Sequence, residues 1–461
     1  MHLLLINPSN SLVNFIKSNE KYWHRYRVWK PLGLLVIAGL TPPEWDITIV
    51  DENLGIPDYE AIPRPDLVGV TAFTSQANRA YQIAESFRRR DIPVVMGVIH
   101  ASMCQSEAAE YVDAIVTGEA ESIWKTVLAD HCNGGLKPLY NGEQVSMEHT
   151  PLARHDLLPT GYRLGSIQTT RGCPLNCSFC SVTSFNGGRY RHRPIPDVIA
   201  EMQSIKEEYV LIVDDNFIGT SARHIEHTKD LLRAMVKAGL NKKFITQVTI
   251  NIADDEELLT LAVSAGMFGV YIGFESPNAE GLKEIHKKFN LQNHRNMRES
   301  VQRIRRHGII VAGAFIIGLD VDEKGIGRQI ADAANSYGLD TMNVMFLTPL
   351  PGTSLWERMV EEGRITANVF PADWKYYTLS YPVAKYTNFT WSEIITENQV
   401  CTRAFYSYPR ILRRVFDHIR YRGSAFLTLV GNLSNRRNGF HAYKKISRQM
   451  ELSRGDVPVD V

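Results

Sequence analysis

The chain has 461 residues, 51 Lys and Arg against 50 Asp and Glu for a formal net charge of +1, with 44% hydrophobic and 22% charged residues. That length implies two or three globular domains rather than one core, and the even charge offers no global field for nucleic acid. No apolar run reaches the length of a membrane span, and the start MHLLLINPSN lacks the basic segment of a secretory signal. Six cysteines without an export signal favour a reducing, cytoplasmic setting and no disulfide framework.

In residues 1–140, short apolar runs alternate with helical patterns: LLLIN at 3–7, DITIVDEN at 46–53, LVGVTAF at 67–73, PVVMGVI at 93–99 and AIVTGEA at 114–120. This alternation predicts a parallel sheet covered on both faces, a doubly wound α/β domain of Rossmann-like type. Ligands of such sheets bind outside the carboxyl ends of the strands. The loops there cover residues 7–10, 71–78, 97–104 and 118–121. Residues 141–165 mix Pro, Gly and polar residues without periodicity and read as a linker.

The stretch QTTRGCPLNCSFCSVTSFNGGRYRHRP at 168–194 follows, with Cys173, Cys177 and Cys180 in the spacing C-x3-C-x2-C. Three thiolates on one loop can hold three irons of a cubane 4Fe-4S cluster and leave the fourth open to substrate. A zinc site is normally closed by four ligands in paired spacing, and there is no second pair here. Cys104, Cys132 and Cys401 stand alone and read as small buried hydrophobes. Arg189, Arg191 and Arg193 either neutralise a carboxylate or phosphate or form a solvated loop edge.

Between residues 166 and 360, strand patterns recur at 166–170, 209–215, 244–251, 269–276, 309–318 and 341–350, separated by helical segments with Gly239, Gly266 and Gly308 at their ends. In barrels, active residues lie at strand ends. Asp214, Asp215 and Asn216 end the second strand, and Gln247, Thr249 and Asn251 alternate along the third, which places them on one face. An inward polar row is costly without partners, which a ligand can supply. Thr353 or Ser354 is expected to cap the helix that follows TPLPG. Residues 361–461 read as a mainly helical extension in which Arg410, Arg413, Arg414, Arg420 and Arg422 precede the apolar run 425–430. That pattern is either a packed helix with a solvated basic face or an amphipathic surface for membranes or lipid substrates.

The cysteine loop, with aromatic Phe179 just before its third cysteine, resembles that of the radical SAM enzymes. The resemblance implies a partial (β/α)6 barrel whose cluster, held by Cys173, Cys177 and Cys180, reductively splits S-adenosylmethionine into a 5'-deoxyadenosyl radical. It also points to Phe179, Asp214, Asp215, Gln247, Thr249, Glu275 (in GFES) and Ile316 (in GAFIIG) as S-adenosylmethionine contacts. The N-terminal segment, through PLGLLVIAGL at 31–40, IVDEN at 49–53, VGVTAFTSQANRAYQIAESFRRR at 68–90 and MGVIHASMCQSEAAEYVDAIVTGEAE at 96–121, resembles the cobalamin-binding domain of the subclass that includes bacteriochlorophyll ring cyclases and hopanoid methylases. That resemblance implies Thr71, Ser75, Gly97, His100, Gly118 and Glu119 as cobalamin contacts. The chain departs from the family at Val98, where glycine is usual, and it lacks the D-x-H-x-x-G cobalt-ligand motif.

Together these features imply a cobalamin-dependent radical SAM enzyme that methylates an unactivated carbon of a small metabolite or lipid, reduced by an external donor such as flavodoxin or ferredoxin. The alternative is radical cyclisation, rearrangement or heteroatom exchange without methyl transfer.

Overall fold

The computed structural model describes residues 1–10, 12, 29–158, 161–420, 425–426 and 428–437. These fall into two compact units, one of Met1–Val248, Ser264–Met267 and Pro349–Thr378, the other of Thr249–Val263, Phe268–Thr348 and Leu379–Val461.

The first unit begins with β1 (His2–Asn7), α1 (Leu32–Leu40), β2 (Asp46–Asp51), β3 (Leu67–Thr71), α2 (Ala77–Arg88), β4 (Val94–Gly97), α3 (Val98–Met103), α4 (Gln105–Tyr111), β5 (Ala114–Thr117), α5 (Trp124–Cys132) and β6 (Leu139–Asn141). The strands form one parallel sheet in the order β2-β1-β3-β4-β5-β6. Residues Leu3, Leu4, Leu5 and Ile6 are all at most 1% exposed, which explains the unbroken apolar run: a central parallel strand is covered on both faces. One cover is the cluster of Leu3, Leu5, Leu67, Val95, Trp124 and Val127. β6 lies at the edge of the segment expected as linker; three residues with one buried side chain carry too little pattern to reveal a strand. β4 stops before the end of its apolar run because Val98 takes φ +74 and opens α3.

The same unit continues with β7 (Leu164–Ile167), β8 (Thr170–Arg171), α6 (Ser181–Asn186), β9 (Arg191–His192), α7 (Ile195–Ser204), β10 (Tyr209–Ile212), α8 (Ala222–Lys237) and β11 (Lys243–Val248). β10 runs parallel between β7 and β11. The expected strand 166–170 is broken. β7 ends at Ile167, and β8 pairs antiparallel with β9, Thr170 opposite His192 and Arg171 opposite Arg191, so a short ribbon clamps the base of the cysteine loop.

The second unit carries α9 (Glu256–Ser264), β12 (Met267–Glu275), α10 (Ala279–Glu284), α11 (Met297–Arg306), β13 (Ile310–Ile317), α12 (Ile326–Tyr337) and β14 (Thr341–Phe346); α13 (Ser354–Glu361) returns to the first unit, and α14 (Trp391–Phe405) and α15 (Tyr408–Arg420) follow. β13 is parallel to both β12 and β14. The polar row expected on one strand does not form. β11 ends at Val248, leaving Gln247 exposed on the strand, and Thr249 and Asn251 are buried at the 3-10 turn Ile250–Asp254.

Candidate functional site

The cysteine loop leaves β8 through Gly172, whose φ is +89 and where a Cβ would sit 2.3 Å from the Arg189 carbonyl oxygen, so only glycine fits. The Gly172 amide donates to Asp215 at 3.0 Å, and Asn186 Nδ2 donates to the same oxygen at 2.9 Å. Asp214 is fully buried and accepts from the Thr169 amide at 2.6 Å, Thr169 Oγ1 at 2.5 Å and Thr170 Oγ1 at 2.9 Å. Burial pushes its pKa up to about 6 against those hydrogen bonds. Both carboxylates thus brace the loop, and Asp214 is placed as a support for it rather than at a surface a ligand could reach.

Within the loop Cys177 is buried while Cys173, Cys180 and Phe179 are half-buried. The Cys180 amide donates to the Cys177 carbonyl at 3.1 Å, and Cys180 is the residue that opens α6. The loop is also held from α13: Thr353 caps that helix by accepting from the Trp356 amide at 3.1 Å, and the preceding amide, of Leu355, donates to the Ser178 carbonyl at 2.9 Å. No cysteine of the chain is in a disulfide, and of the three solitary ones only Cys401 is buried; Cys104 is half-buried and Cys132 exposed. Among the described residues no three His, Cys, Asp or Glu side chains converge on a point that would hold a single ion. A cubane asks for something different, since each thiolate binds its own iron. Three thiols spaced around one short loop are the donor set such a cluster takes.

Beside the loop lies a cavity of about 600 Å³, within the range of small-molecule sites. One wall is the carboxyl edge of the first sheet, with Asn7, Thr71, Gly97 and Gly118; a second is the start of α1, with Pro31, Leu32 and Gly33; a third is Ser181, Val182, Phe185 and Asn186 of α6, immediately after Cys180. Gln168, Arg171 and Asp215 complete the side nearest the loop. Trp29 and Phe73, both on this cavity, are 49% and 63% exposed, an apolar surface that a ligand would cover. A Cβ added at Gly33 would meet nothing within 4 Å, so the wall is open there. A large, flat, mainly apolar cofactor with polar edges, such as a corrin, fits this lining.

Of the residues expected around cobalamin, Thr71, Gly97, Gly118 and Glu119 line the cavity; Ser75 and His100 do not. Ser75 uses its carbonyl to accept from Asn10 Nδ2 at 2.6 Å. His100 is a fully buried residue of α3, its Nε2 2.9 Å from the Tyr81 hydroxyl and 3.4 Å from Glu107. Trp374 Nε1 donates to both Glu107 oxygens at 2.8 and 3.0 Å. Burial raises the Glu107 pKa, but hydrogen bonds from His100, Tyr81 and Trp374 outweigh it and leave the carboxyl below its usual range. His100 is therefore part of a structural latch. Gly118 is required by its backbone as well: φ is +63, and a Cβ would lie 2.2 Å from the Gly142 oxygen.

An ion-pair network joins the cavity rim to the ribbon. Arg191 Nη2 and Nη1 donate to Glu119 at 2.5 and 2.9 Å, and Arg171 bridges Glu119 at 3.1 Å and Glu121 at 2.7 Å. Arg193 pairs with buried Glu201 at 2.8 Å. Arg191 and Arg193 are thus neither a solvated edge nor free for a ligand; Arg189 alone of the three is exposed. Burial raises the Glu119 pKa, and the Arg191 hydrogen bond, the Arg171 charge and the Val145 amide more than offset it, so the net shift is downward.

In the second unit Glu275 is buried at a bulge in β12 with φ +64, 3.4 Å from Lys287 Nζ. Burial raises its pKa, and Lys287 partly opposes that. Ile316 is 4% exposed on β13. Sequence reasoning missed α6 as a cavity wall, and it missed the pairing of Arg171 and Arg191 with Glu119. The first had a signal, since α6 directly follows the cysteines; the second joins residues 72 positions apart and leaves none in a single sequence.

The Radical SAM superfamily model matches residues 167–326, and the B12 binding domain model matches residues 24–128. The hopanoid C-2 methylase of Rhodopseudomonas palustris is 28% identical over 345 residues, which are 73% of this chain and 65% of that protein. The chain thus spans just under two thirds of that relative's length. The bacteriochlorophyllide d C-8(2)-methyltransferase of Chlorobaculum tepidum is 27% identical over 432 residues, covering 85% of this chain and 92% of the relative. Among solved structures, the radical S-adenosylmethionine methyltransferase TsrM of Kitasatospora setae, with cobalamin and a [4Fe-4S] cluster bound, superposes with a TM-score of 0.69 at 18% identity over 96% of this chain and 99% of that one, a likeness of fold. One domain model lies on the cavity's sheet edge and the other on the cysteine loop, so the chain carries a B12-binding domain ahead of a radical SAM domain.

Proposed function

We propose that the protein is a cobalamin-dependent radical SAM methyltransferase acting on an unactivated carbon of a small metabolite or lipid. The observation that carries this reading is the shared cavity: the carboxyl edge of the B12-binding sheet forms one wall, and α6, which starts at the third cluster cysteine, forms another. Cys173, Cys177 and Cys180 would hold the 4Fe-4S cluster, and Thr71, Gly97, Gly118 and the Glu119 backbone would border cobalamin. When bound, these groups supply the electron that splits S-adenosylmethionine and the methyl group to be transferred.

The chain's own share is placement. Asp215 fixes the start of the cysteine loop through the Gly172 amide, and the Arg191–Glu119 pair ties that loop's ribbon to the rim of the cavity. Trp29 and Phe73 offer apolar cover that excludes water from a radical site. An external one-electron donor such as flavodoxin or ferredoxin would reduce the cluster. Glu275 and Ile316 are proposed for the ribose and adenine of S-adenosylmethionine.

The test is anaerobic reconstitution with iron and sulfide, then reduction in the presence of S-adenosylmethionine. Production of 5'-deoxyadenosine, joined by S-adenosylhomocysteine once hydroxocobalamin is supplied, is expected. Absence of 5'-deoxyadenosine from protein with an intact cluster spectrum would overturn the assignment.

A further inference from the structure

α15 has one face packed and one face bare. Ile411 is 1% exposed, and Arg414 is buried with its guanidinium 3.7 Å from the centre of the Phe405 ring and hydrogen-bonded to Asn335 at 3.0 Å, to Asn432 and to the Phe405 carbonyl. These contacts fix the helix about its axis. At the spacing i, i+4, i+8, i+11, which an α-helix keeps within roughly 80° of arc, stand Tyr408, Leu412, Phe416 and Ile419, exposed by 61%, 65%, 70% and 63%. Further along the chain, Phe426 is also exposed, at 72%. Scattered exposed apolar residues need no explanation, but a row of four on one helix does.

The surrounding sequence says what such a row would meet. Residues 408–450 hold ten Lys and Arg and a single acid, Asp417, in a chain whose formal net charge is +1. Arg413 and Arg437 are exposed among the described residues. A second copy of the chain applied to the same face would bring like charges together, because a two-fold contact is self-complementary. A nucleic acid would leave the apolar row unsatisfied. An anionic bilayer matches both features: large apolar side chains enter the acyl boundary while basic ones meet the head groups. The contact is superficial, since no helix among the described residues is long and apolar enough to cross a membrane.

We propose that the exposed face of α15 docks the protein on anionic lipid bilayers. The inference is independent of the radical chemistry and stands or falls without it.

The full chain would be floated with vesicles of phosphatidylcholine alone or mixed with phosphatidylglycerol, at low and high salt. Partition into the anionic vesicles is expected, weakened by salt. The triple variant Leu412→Ser, Phe416→Ser, Ile419→Ser alters only side chains that are already exposed and should keep the wild-type melting temperature while losing roughly tenfold or more of the partition. Arg413→Glu with Arg437→Glu should reduce partition into anionic vesicles. No preference for anionic vesicles, or an unchanged partition of the triple variant, would overturn the proposal. So would a concentration-dependent dimer, free of vesicles, that the triple variant abolishes, because the face would then serve self-association.

Discussion

Arg191 and Glu119 meet through two hydrogen bonds, at 2.5 and 2.9 Å, with side chains only 7% and 3% exposed. One residue belongs to the ribbon that clamps the cysteine loop, the other to the cavity rim of the B12-binding sheet. A buried pair of this kind gains little over apolar substitutes but is costly to break from one side. Arg191→Ala should therefore destabilise the protein by about 3–5 kcal/mol, read as a lower urea midpoint. Because Glu119 ionises more easily in the folded state than in the unfolded chain, the contribution is complete above the unfolded carboxylate pKa, near 4.3, and fades as pH falls through the lower folded value. A variant as stable as the wild type at neutral pH would contradict the coupling.

On the next residue of the ribbon the sign comes from a base. The His192 ring centre lies 3.9 Å from that of His227, 5.6 Å from that of His224 and 4.9 Å from that of Tyr190. Burial first, then repulsion from His227, His224 and Arg223, push its pKa down to about 3. The unfolded chain thus binds a proton that the folded one refuses between pH of about 6.5 and about 3. Stability should fall as pH drops through that window, and His192→Phe should flatten the slope of urea midpoint against pH between 7 and 5. A slope equal to the wild type's would remove His192 as its source.

Val98 is a β-branched residue held at φ +74 on the cavity wall. Such a conformation costs on the order of 1–3 kcal/mol, and glycine adopts it freely at some loss of chain entropy. Val98→Gly is expected to leave stability equal or raised by about 1 kcal/mol while opening the wall at the place where the subclass usually has glycine. Equilibrium titration with hydroxocobalamin should show tighter binding in the variant. Weaker binding would mean that the valine side chain is itself a contact.

Cys177→Ala removes one thiolate from a loop whose shape is kept by Asp214, Asp215 and the α13 turn. Circular dichroism should be unchanged and 5'-deoxyadenosine production abolished. Undiminished production would remove the triad from the mechanism.

What the sequence revealed follows physical range. β1, β3 and β5 are buried parallel strands and announce themselves as apolar runs; the C-x3-C-x2-C spacing is local chemistry on a single loop. The three-residue β6 escaped because it has no room for a pattern. The polar row of Gln247, Thr249 and Asn251 failed because alternation was carried past Val248, where the chain turns. Asp214 and His100 were placed at the right strand ends, yet their directions are set by Thr169, Thr170, Tyr81 and Glu107, partners that only the folded chain brings near. The basic stretch around Arg414 likewise divides only in the structure, with Arg414 buried and Arg413 outside; Arg422 lies outside the described residues.

Cobalamin occupancy of the cavity beside the cysteine loop underlies the proposed methyl transfer. Its most direct test is cobalt per chain after anaerobic reconstitution with iron, sulfide and hydroxocobalamin followed by desalting. Near-stoichiometric cobalt is the expected result; cobalt near zero in protein with an intact cluster spectrum would contradict it and turn the search toward radical reactions without methyl transfer.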